Sequence, residues 1–188
     1  MLDRREGTAD TAQTGVPGEV ALLCSVQHHV ATPTVVTAAR GMSHFGEHAA
    51  GWIALGALGA ALDAPRRRQW GTAVAAVVGS HAASIAVKRV VRRRRPHDPG
   101  IAVHVGTPSR LSFPSSHATS TTAAALLYGG LVGAPVAGVL VPGMALSRLV
   151  LGVHYPTDVL AGSALGAVCA LGARHAIRRG SLGRWRTA

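Results

Sequence analysis

Four short stretches of this chain hold side chains that grip anions or move protons: Lys88 with Arg95; Ser115, Ser116 and His117; Arg148 with His154; and Asp158. Arg binds phosphate oxygens through paired planar donors and Lys binds them as a compact point charge. Ser115 and Ser116 stand where an apolar helix begins, and free backbone N–H groups and the helix dipole at such a place favour an anion. His117 follows at once, placed to give a proton to a leaving group on phosphorus. His154 and Asp158 are four residues apart around Pro156, which suits the first position of a helix. The carboxylate is then expected to accept one imidazole N–H and leave the other ring nitrogen free as a nucleophile.

These residues are far apart in sequence, so the elements between them must bring them together. The 188 residues are 48% apolar and only 14% charged, with mean hydropathy +0.27 beside a net charge of +11. Greasy and basic stretches are therefore segregated along the chain, which favours an integral membrane protein and excludes disorder for most of its length. Apolar spans are read at 49–62, 70–87, 118–134, 136–151 and 158–171, with a kink expected at Pro142 and Gly143. The expected fold is all-α, a polytopic transmembrane bundle of five to six helices with an N-terminal interfacial or spanning helix. That element falls in residues 19–40, where Gln27, His28, His29 and Pro33 interrupt the apolar pattern and suit an interfacial helix or a helix pair better than a clean span. Residues 1–17 read as a disordered polar tail, 18–176 as the membrane-embedded domain and 177–188 as a basic C-terminal tail. Counting crossings puts the end of the second span, the start of the third, the end of the fourth and the start of the fifth on one face of the bilayer. All four clusters lie there.

Each cluster alone has a commoner use. A Lys or Arg at a span end usually snorkels to the interface, a His after two serines can belong to an ordinary capped helix, and His-Tyr-Pro-Thr-Asp can be a turn. Taken in order, however, Lys88, six residues, Arg95-Pro96, then Pro114-Ser115-Ser116-His117, then Ser147-Arg148, five residues, His154, three residues, Asp158 resemble the three-part signature of the type 2 phosphatidic acid phosphatase family. These are membrane lipid phosphate phosphatases whose phosphate pocket is shared with vanadium haloperoxidases. The resemblance covers roughly residues 52–171. It implies that Lys88, Arg95 and Arg148 hold the phosphoryl oxygens, with Ser115 and the Ser116 amide completing the cradle. It further implies that His154 forms a phosphohistidine, that Asp158 orients and charge-stabilises it, and that His117 protonates the departing alkoxide and later activates water. Cations in these places supply the charge stabilisation that metal ions supply elsewhere, so neither metal nor cofactor is expected. The family usually has Gly where Ser116 stands, and Ser offers the same N–H provided φ is not positive.

The Pro-Ser-Ser-His variant, together with the Gly-Glu-Val-Ala-Leu-Leu and Ser-His-Phe-Gly-Glu-His stretches, further resembles actinobacterial decaprenylphosphoryl-5-phosphoribose phosphatases of cell-wall arabinan precursor synthesis. A polyprenyl-linked phosphomonoester is then the implied substrate. Undecaprenyl pyrophosphate and phosphatidylglycerophosphate or phosphatidate are the rival substrates, and a non-catalytic membrane scaffold is the rival from another class. A soluble haloperoxidase is disfavoured by five apolar spans.

Other features are assigned more plainly. His81, Ser84 and Lys88 fall on one helical face, with Ser80 beside them, and are expected to support the pocket. Arg89, Arg92, Arg93 and Arg94 are read as interfacial cations, Trp70 beside Arg66, Arg67 and Arg68 as an interfacial anchor, and residues 44–47 as a turn bordering the pocket. Cys24 and Cys169 are isolated and read as small buried hydrophobes. The arginines abut apolar runs without interleaved aromatics, so no nucleic-acid partner is expected. Opposite the pocket stand Arg66, Arg67, Arg68, Arg174, Arg178, Arg179, Arg184 and Arg186; beside it, apart from the phosphate ligands, stand Arg89, Arg92, Arg93, Arg94 and Arg110. The positive-inside rule then leans toward a pocket facing away from the cytoplasm. Gly162 and Gly166 have GxxxG spacing, which serves contacts within one chain or between two and leaves the oligomeric state open.

Overall fold

The computed structural model describes residues 16–183 and contains seven α-helices: α1 (Pro17–Val30), α2 (Pro33–Gly46), α3 (Ala50–Leu62), α4 (Arg67–Val91), α5 (Ser116–Val132), α6 (Ala137–Val150) and α7 (Pro156–Gly183). Short 3-10 turns at Glu47–Ala49 and Ala64–Arg66 precede α3 and α4. No strand occurs among the described residues, only an isolated bridge between Arg94 and Leu111. The boundaries follow local chemistry. Pro17, Pro33 and Pro156 open their helices, where a missing N–H costs nothing. Ser115 caps α5 by accepting the Ala118 N–H, while α4 and α5 end on left-handed residues, Arg92 and Gly133. Pro142 sits inside α6 without dividing it.

α5 is the axis of the bundle. Its residues are buried on nearly every side, with α4, α6 and α7 packed around it. Trp52, Trp70, Val77, Ala123, Ala124, Leu127 and Tyr128 form the main apolar core, and Val36, Ala39, Val150, Leu151 and Val153 form a second cluster under α2. Gly162 and Gly166 are what let α7 lie on α5. A Cβ at Gly162 would stand 2.5 Å from the Ser115 carbonyl oxygen, and one at Gly166 would stand 2.3 Å from that of Thr119. The GxxxG spacing is thus used inside the chain. α4 with its preceding turn (Ala64–Val91) and α7 (Pro156–Arg179) are long and apolar enough to cross a membrane; α6 is shorter and also apolar.

Several expectations change. Of the two forms expected for residues 19–40 the helix pair is the one present, but α2 runs on through His44 to Gly46, so residues 44–46 are helical and only Glu47 begins the turn. Trp70 is buried, not a surface anchor: it packs against Tyr128 and donates its indole N–H to Asp63. α7 continues to Gly183, so residues 177–183 are helical and only 184–188 of the expected tail lie outside the described residues, as do residues 1–15 of the expected N-terminal tail. Cys24 and Cys169 are free and half-buried, and the Cys24 thiol faces the Gly100 carbonyl.

Candidate functional site

The ends of α2, α4 and α6 and the starts of α5 and α7 surround a cavity of about 560 Å³. Lys88, Arg95, Ser116, His117, Arg148 and His154 all line it. Ser115 and Asp158 stand just behind. The Ser115 N–H donates to the Asp158 carbonyl at 2.9 Å, which ties the first turn of α5 to the first turn of α7. The eight residues singled out from sequence are therefore assembled at one place.

The three cations are held by neutral acceptors. Lys88 Nζ donates to the carbonyls of Ser112 and Pro114. Arg95 donates through Nε to the Ser109 carbonyl at 2.8 Å and through Nη1 to the Val153 carbonyl at 2.7 Å. Arg148, with only 2% of its surface exposed, donates to the hydroxyls of Ser43 and Ser147 at 3.1 and 3.2 Å, and its Nη2 has no protein partner. Burial lowers Arg95 to about 10, which still leaves it charged at neutral pH.

His154 is buried behind these cations. Arg95 Nη1 lies 3.2 Å from His154 Nε2, and a guanidinium can only donate. Nε2 therefore accepts, and the ring proton sits on Nδ1, the nitrogen facing Asp158. Burial, reinforced by the charges of Arg95, Lys88 and Arg148, pushes His154 well below its ordinary range, so its ring is neutral. The separation of Nδ1 from Asp158 Oδ2 is 3.6 Å, an ion-pair distance rather than the expected hydrogen bond. The reason is visible: Oδ2 already accepts the Tyr155 N–H at 2.8 Å, and Oδ1 accepts Arg93 Nη1 at 3.0 Å.

His117 places Nε2 3.0 Å from the Ser43 carbonyl, which fixes a proton there and leaves Nδ1 for exchange with a reacting group. Ser116 is the first residue of α5 and is not among the residues with positive φ, so Ser replaces the usual Gly without strain. Its hydroxyl lies 2.7 Å from that of Ser84, which also bonds the His81 carbonyl. Ser84 thus supports the pocket as expected, and His81 lines it opposite His48, with ring centroids 6.4 Å apart. Ser80 does not reach the pocket; it bonds the Val77 carbonyl.

Three functional positions were not foreseen. Ser43 holds both Arg148 and His117, and its only signal was its place at the head of the Ser-His-Phe-Gly-Glu-His stretch. Arg93, read as interfacial, turns inward to Asp158, and Glu19 of α1 pairs with it. Nothing in the triplet Arg92, Arg93 and Arg94 marks which one joins Arg95 in facing inward.

The sequence model of the PAP2 superfamily matches residues 69–181. A decaprenylphosphoryl-5-phosphoribose phosphatase of Mycolicibacterium smegmatis is 60% identical over 146 residues, 77% of this chain and 81% of that one. Its namesake in Mycobacterium tuberculosis is 56% identical over 157 residues, covering 83% of this chain and 89% of the relative. Among solved structures, the transmembrane PAP2-type phosphatidylglycerolphosphate phosphatase of Bacillus subtilis superposes with a TM-score of 0.72 at 21% identity, over 88% of this chain and 89% of that one. LpxE of Aquifex aeolicus gives 0.70 at 17% identity, over 86% and 97%.

Proposed function

Since the chain belongs to the PAP2 superfamily, we propose that it is a membrane lipid phosphatase that removes the 5-phosphate of decaprenylphosphoryl-5-phosphoribose to leave decaprenylphosphoryl-ribose, through a phosphohistidine on His154. One observation carries the chemistry: Lys88, Arg95 and Arg148 converge on one cavity, and among the described residues none of them is neutralised by a carboxylate within 4.0 Å. Such a cluster attracts a dianionic phosphoryl group and stabilises the charge that spreads over its oxygens in the transition state.

His154 Nε2, neutral and carrying its lone pair, attacks phosphorus in line as the ester P–O bond breaks. His117, protonated at Nδ1 as well as at Nε2 once the phosphoryl dianion sits beside it, gives the Nδ1 proton to the departing sugar oxygen. Asp158 offsets the positive charge that His154 acquires on phosphorylation. Water then attacks the phosphohistidine and loses a proton to His117, and inorganic phosphate leaves; phosphomonoester and water become alcohol and phosphate. Ser115 and the Ser116 amide serve the cradle at the N-terminus of α5.

The identities of 56–60% to phosphatases of that name support the lipid assignment. So does the cavity, which beyond the cations mixes polar groups such as His44, His81 and Ser109 with apolar Ile85, Val105 and Leu111, a lining suited to a sugar phosphate attached to a lipid. We read residues 18–176 as the membrane-embedded domain crossing the bilayer several times. We also read the pocket as facing away from the cytoplasm, because arginines are more numerous at the opposite end of the bundle.

The test is phosphate release by the detergent-purified chain in EDTA from decaprenylphosphoryl-5-phosphoribose, undecaprenyl pyrophosphate and phosphatidate. Release from the first, lost in His154→Ala, is expected. Preferred turnover of another lipid would overturn the substrate, and release surviving in His154→Ala would overturn the mechanism.

A further inference from the structure

Asp158 has no exposed surface, and a carboxylate taken out of water stays an anion only where donors and opposite charge meet it. The donor on Oδ1 is Arg93, at 3.0 Å. Arg93 is itself fixed from several sides. Its Nη1 also donates to the Thr157 hydroxyl at 2.7 Å, its Nη2 pairs with Glu19, and its guanidinium lies 4.1 Å from the centre of the Tyr155 ring. Glu19 has a second task. Its other oxygen accepts the Thr157 N–H at 3.2 Å and the Thr157 hydroxyl, placing an anion at the N-terminus of α7, where the helix dipole favours one.

The rest of α1 is fastened along the same face. Four residues after Glu19, Leu23 is fully buried; four further on, Gln27 donates to the carbonyls of Ala102 and Val150 at 2.7 and 3.0 Å and accepts the Ala102 N–H at 3.0 Å. Ala102 belongs to the loop between α4 and α5, and Val150 ends α6. Gly152, two residues before His154, adopts φ +69 with the Ala102 carbonyl so close that a Cβ would stand 2.3 Å from its oxygen. One helical face thus grips the segments on both sides of His154.

We propose that Arg93 and Glu19 are positioning residues of the phosphatase: Arg93 keeps Asp158 ionised and directed at His154, and Glu19 holds Arg93 in place, so that the docking of α1 is part of the catalytic assembly. This rests on the phosphohistidine reading above. Neither residue belongs to the set of phosphate ligands, so their loss is felt in the step that charges His154 and not in substrate binding.

The experiment is steady-state phosphate release by the full chain in detergent, with thermal unfolding measured beside it, for Arg93→Ala, Arg93→Lys, Glu19→Gln and the Glu19→Gln/Arg93→Ala double variant. Arg93→Ala is expected to lower kcat about 10- to 100-fold, the scale on which loss of a group that orients a reactive imidazole is felt, with KM within about twofold. Arg93→Lys should recover part of the loss, and Glu19→Gln should lose about three- to tenfold. The double variant should fall short of the product of the two losses, because Glu19 acts largely through Arg93. Wild-type kcat in Arg93→Ala, a loss confined to KM, or losses that multiply fully in the double variant would each overturn the proposal. Should Arg93→Ala fail to fold, Glu19→Gln decides: a reduced kcat at unchanged KM supports the proposal and a wild-type kcat overturns it. A wild-type chain that releases no phosphate removes the phosphatase reading itself, and this proposal with it.

Discussion

The two ends of the bundle are both rich in arginine, and they differ in how deeply they bury it. At the end away from the pocket, Arg66 pairs with Asp63 at 2.6 Å with about half of its side chain exposed, and Arg67 and Arg68 are exposed. At the pocket end, Arg148 and Lys88 are buried and, with Arg95, donate to carbonyls and hydroxyls. Burying an ion costs several kcal/mol unless its surroundings compensate. Carbonyl and hydroxyl dipoles compensate in part and leave the positive charge unspent, whereas a carboxylate would cancel it. An anion site therefore differs from a cation-rich membrane flank less by how many cations it holds than by whether they are buried together around one cavity without a carboxylate. Arg93 stands apart: it sits at the pocket end but is paired with Glu19 and Asp158, which suits the positioning role proposed for it and not a phosphate contact.

The largest expected effect separates the two ends directly. Arg148→Ala and His154→Ala should lower kcat/KM at least about a thousandfold while the protein remains folded, as removal of one member of a concerted catalytic set does. Arg68→Ala, which removes a cation from the other end, should stay within about twofold. Comparable losses in all three, measured as phosphate release at fixed ionic strength, would mean that overall charge and not local pairing drives turnover.

A smaller effect tests how the pocket end is joined to the rest of the bundle. Gly162→Ala and Gly166→Ala each force a Cβ against the backbone of α5, and overpacking of this kind costs about 1–3 kcal/mol. Both should lower the unfolding temperature in detergent. Only Gly162→Ala should also lower kcat, because its Cβ meets Ser115 at the start of the phosphate cradle, whereas that of Gly166 meets Thr119 one turn further from the site. Equal kcat values in the two variants would show that the cradle tolerates displacement.

These contrasts were unevenly legible beforehand. The spans at 49–62, 70–87, 118–134 and 136–151 correspond to α3, α4, α5 and α6 because long apolar segments bounded by Pro, Gly and charge admit little else. The eight site residues could be placed together from crossing parity alone, since the side of the bilayer on which each span ends follows from counting. What stayed hidden depended on rotation and register. Which of Arg92, Arg93 and Arg94 joins Arg95 in turning inward follows the left-handed residue Arg92 that ends α4, a feature with no residue-type signature. Residues 44–46 stayed hidden because α2 runs on to Gly46 before the strained turn at His48 and Ala49, both with positive φ although neither is glycine. The roles of Glu19 and Ser43 rest on contacts more than 70 residues away along the chain, which no local pattern encodes.

The next effect is a displaced titration. An ordinary imidazole, with a pKa of 6.5, takes up its proton as pH falls through that value. Burial and the charges of Arg95, Lys88 and Arg148 all disfavour the imidazolium of His154, so the sign is unambiguous: the ring stays neutral as pH falls through 6.5 and protonates only at lower pH. Ring nitrogen chemical shifts of His154 in detergent micelles, assigned with His154→Ala, measure this. Protonation near 6.5 would mean that the cations at the pocket end are screened as thoroughly as exposed ones, and the contrast between the two ends would fail.

The smallest expected effect concerns Ser116, where the motif resemblance implies Gly. If Gly were needed at 116 for a left-handed backbone, Ser would be strained and Ser116→Gly would speed the reaction. Ser116 instead opens α5 without positive φ, and its hydroxyl is tied to Ser84 on α4. The amide that faces the phosphate is then available from either residue, and the hydroxyl adds a link between the helix carrying Lys88 and the helix carrying His117. Ser116→Gly should therefore change kcat by less than about threefold and cost about 1 kcal/mol of stability from the lost hydrogen bond and the freer backbone. Ser84→Ala should reproduce the stability loss. A large gain in kcat for Ser116→Gly would show that the cradle is held back by its own side chain, and would place the difference between this pocket and the usual one in the backbone instead of in the contact with α4.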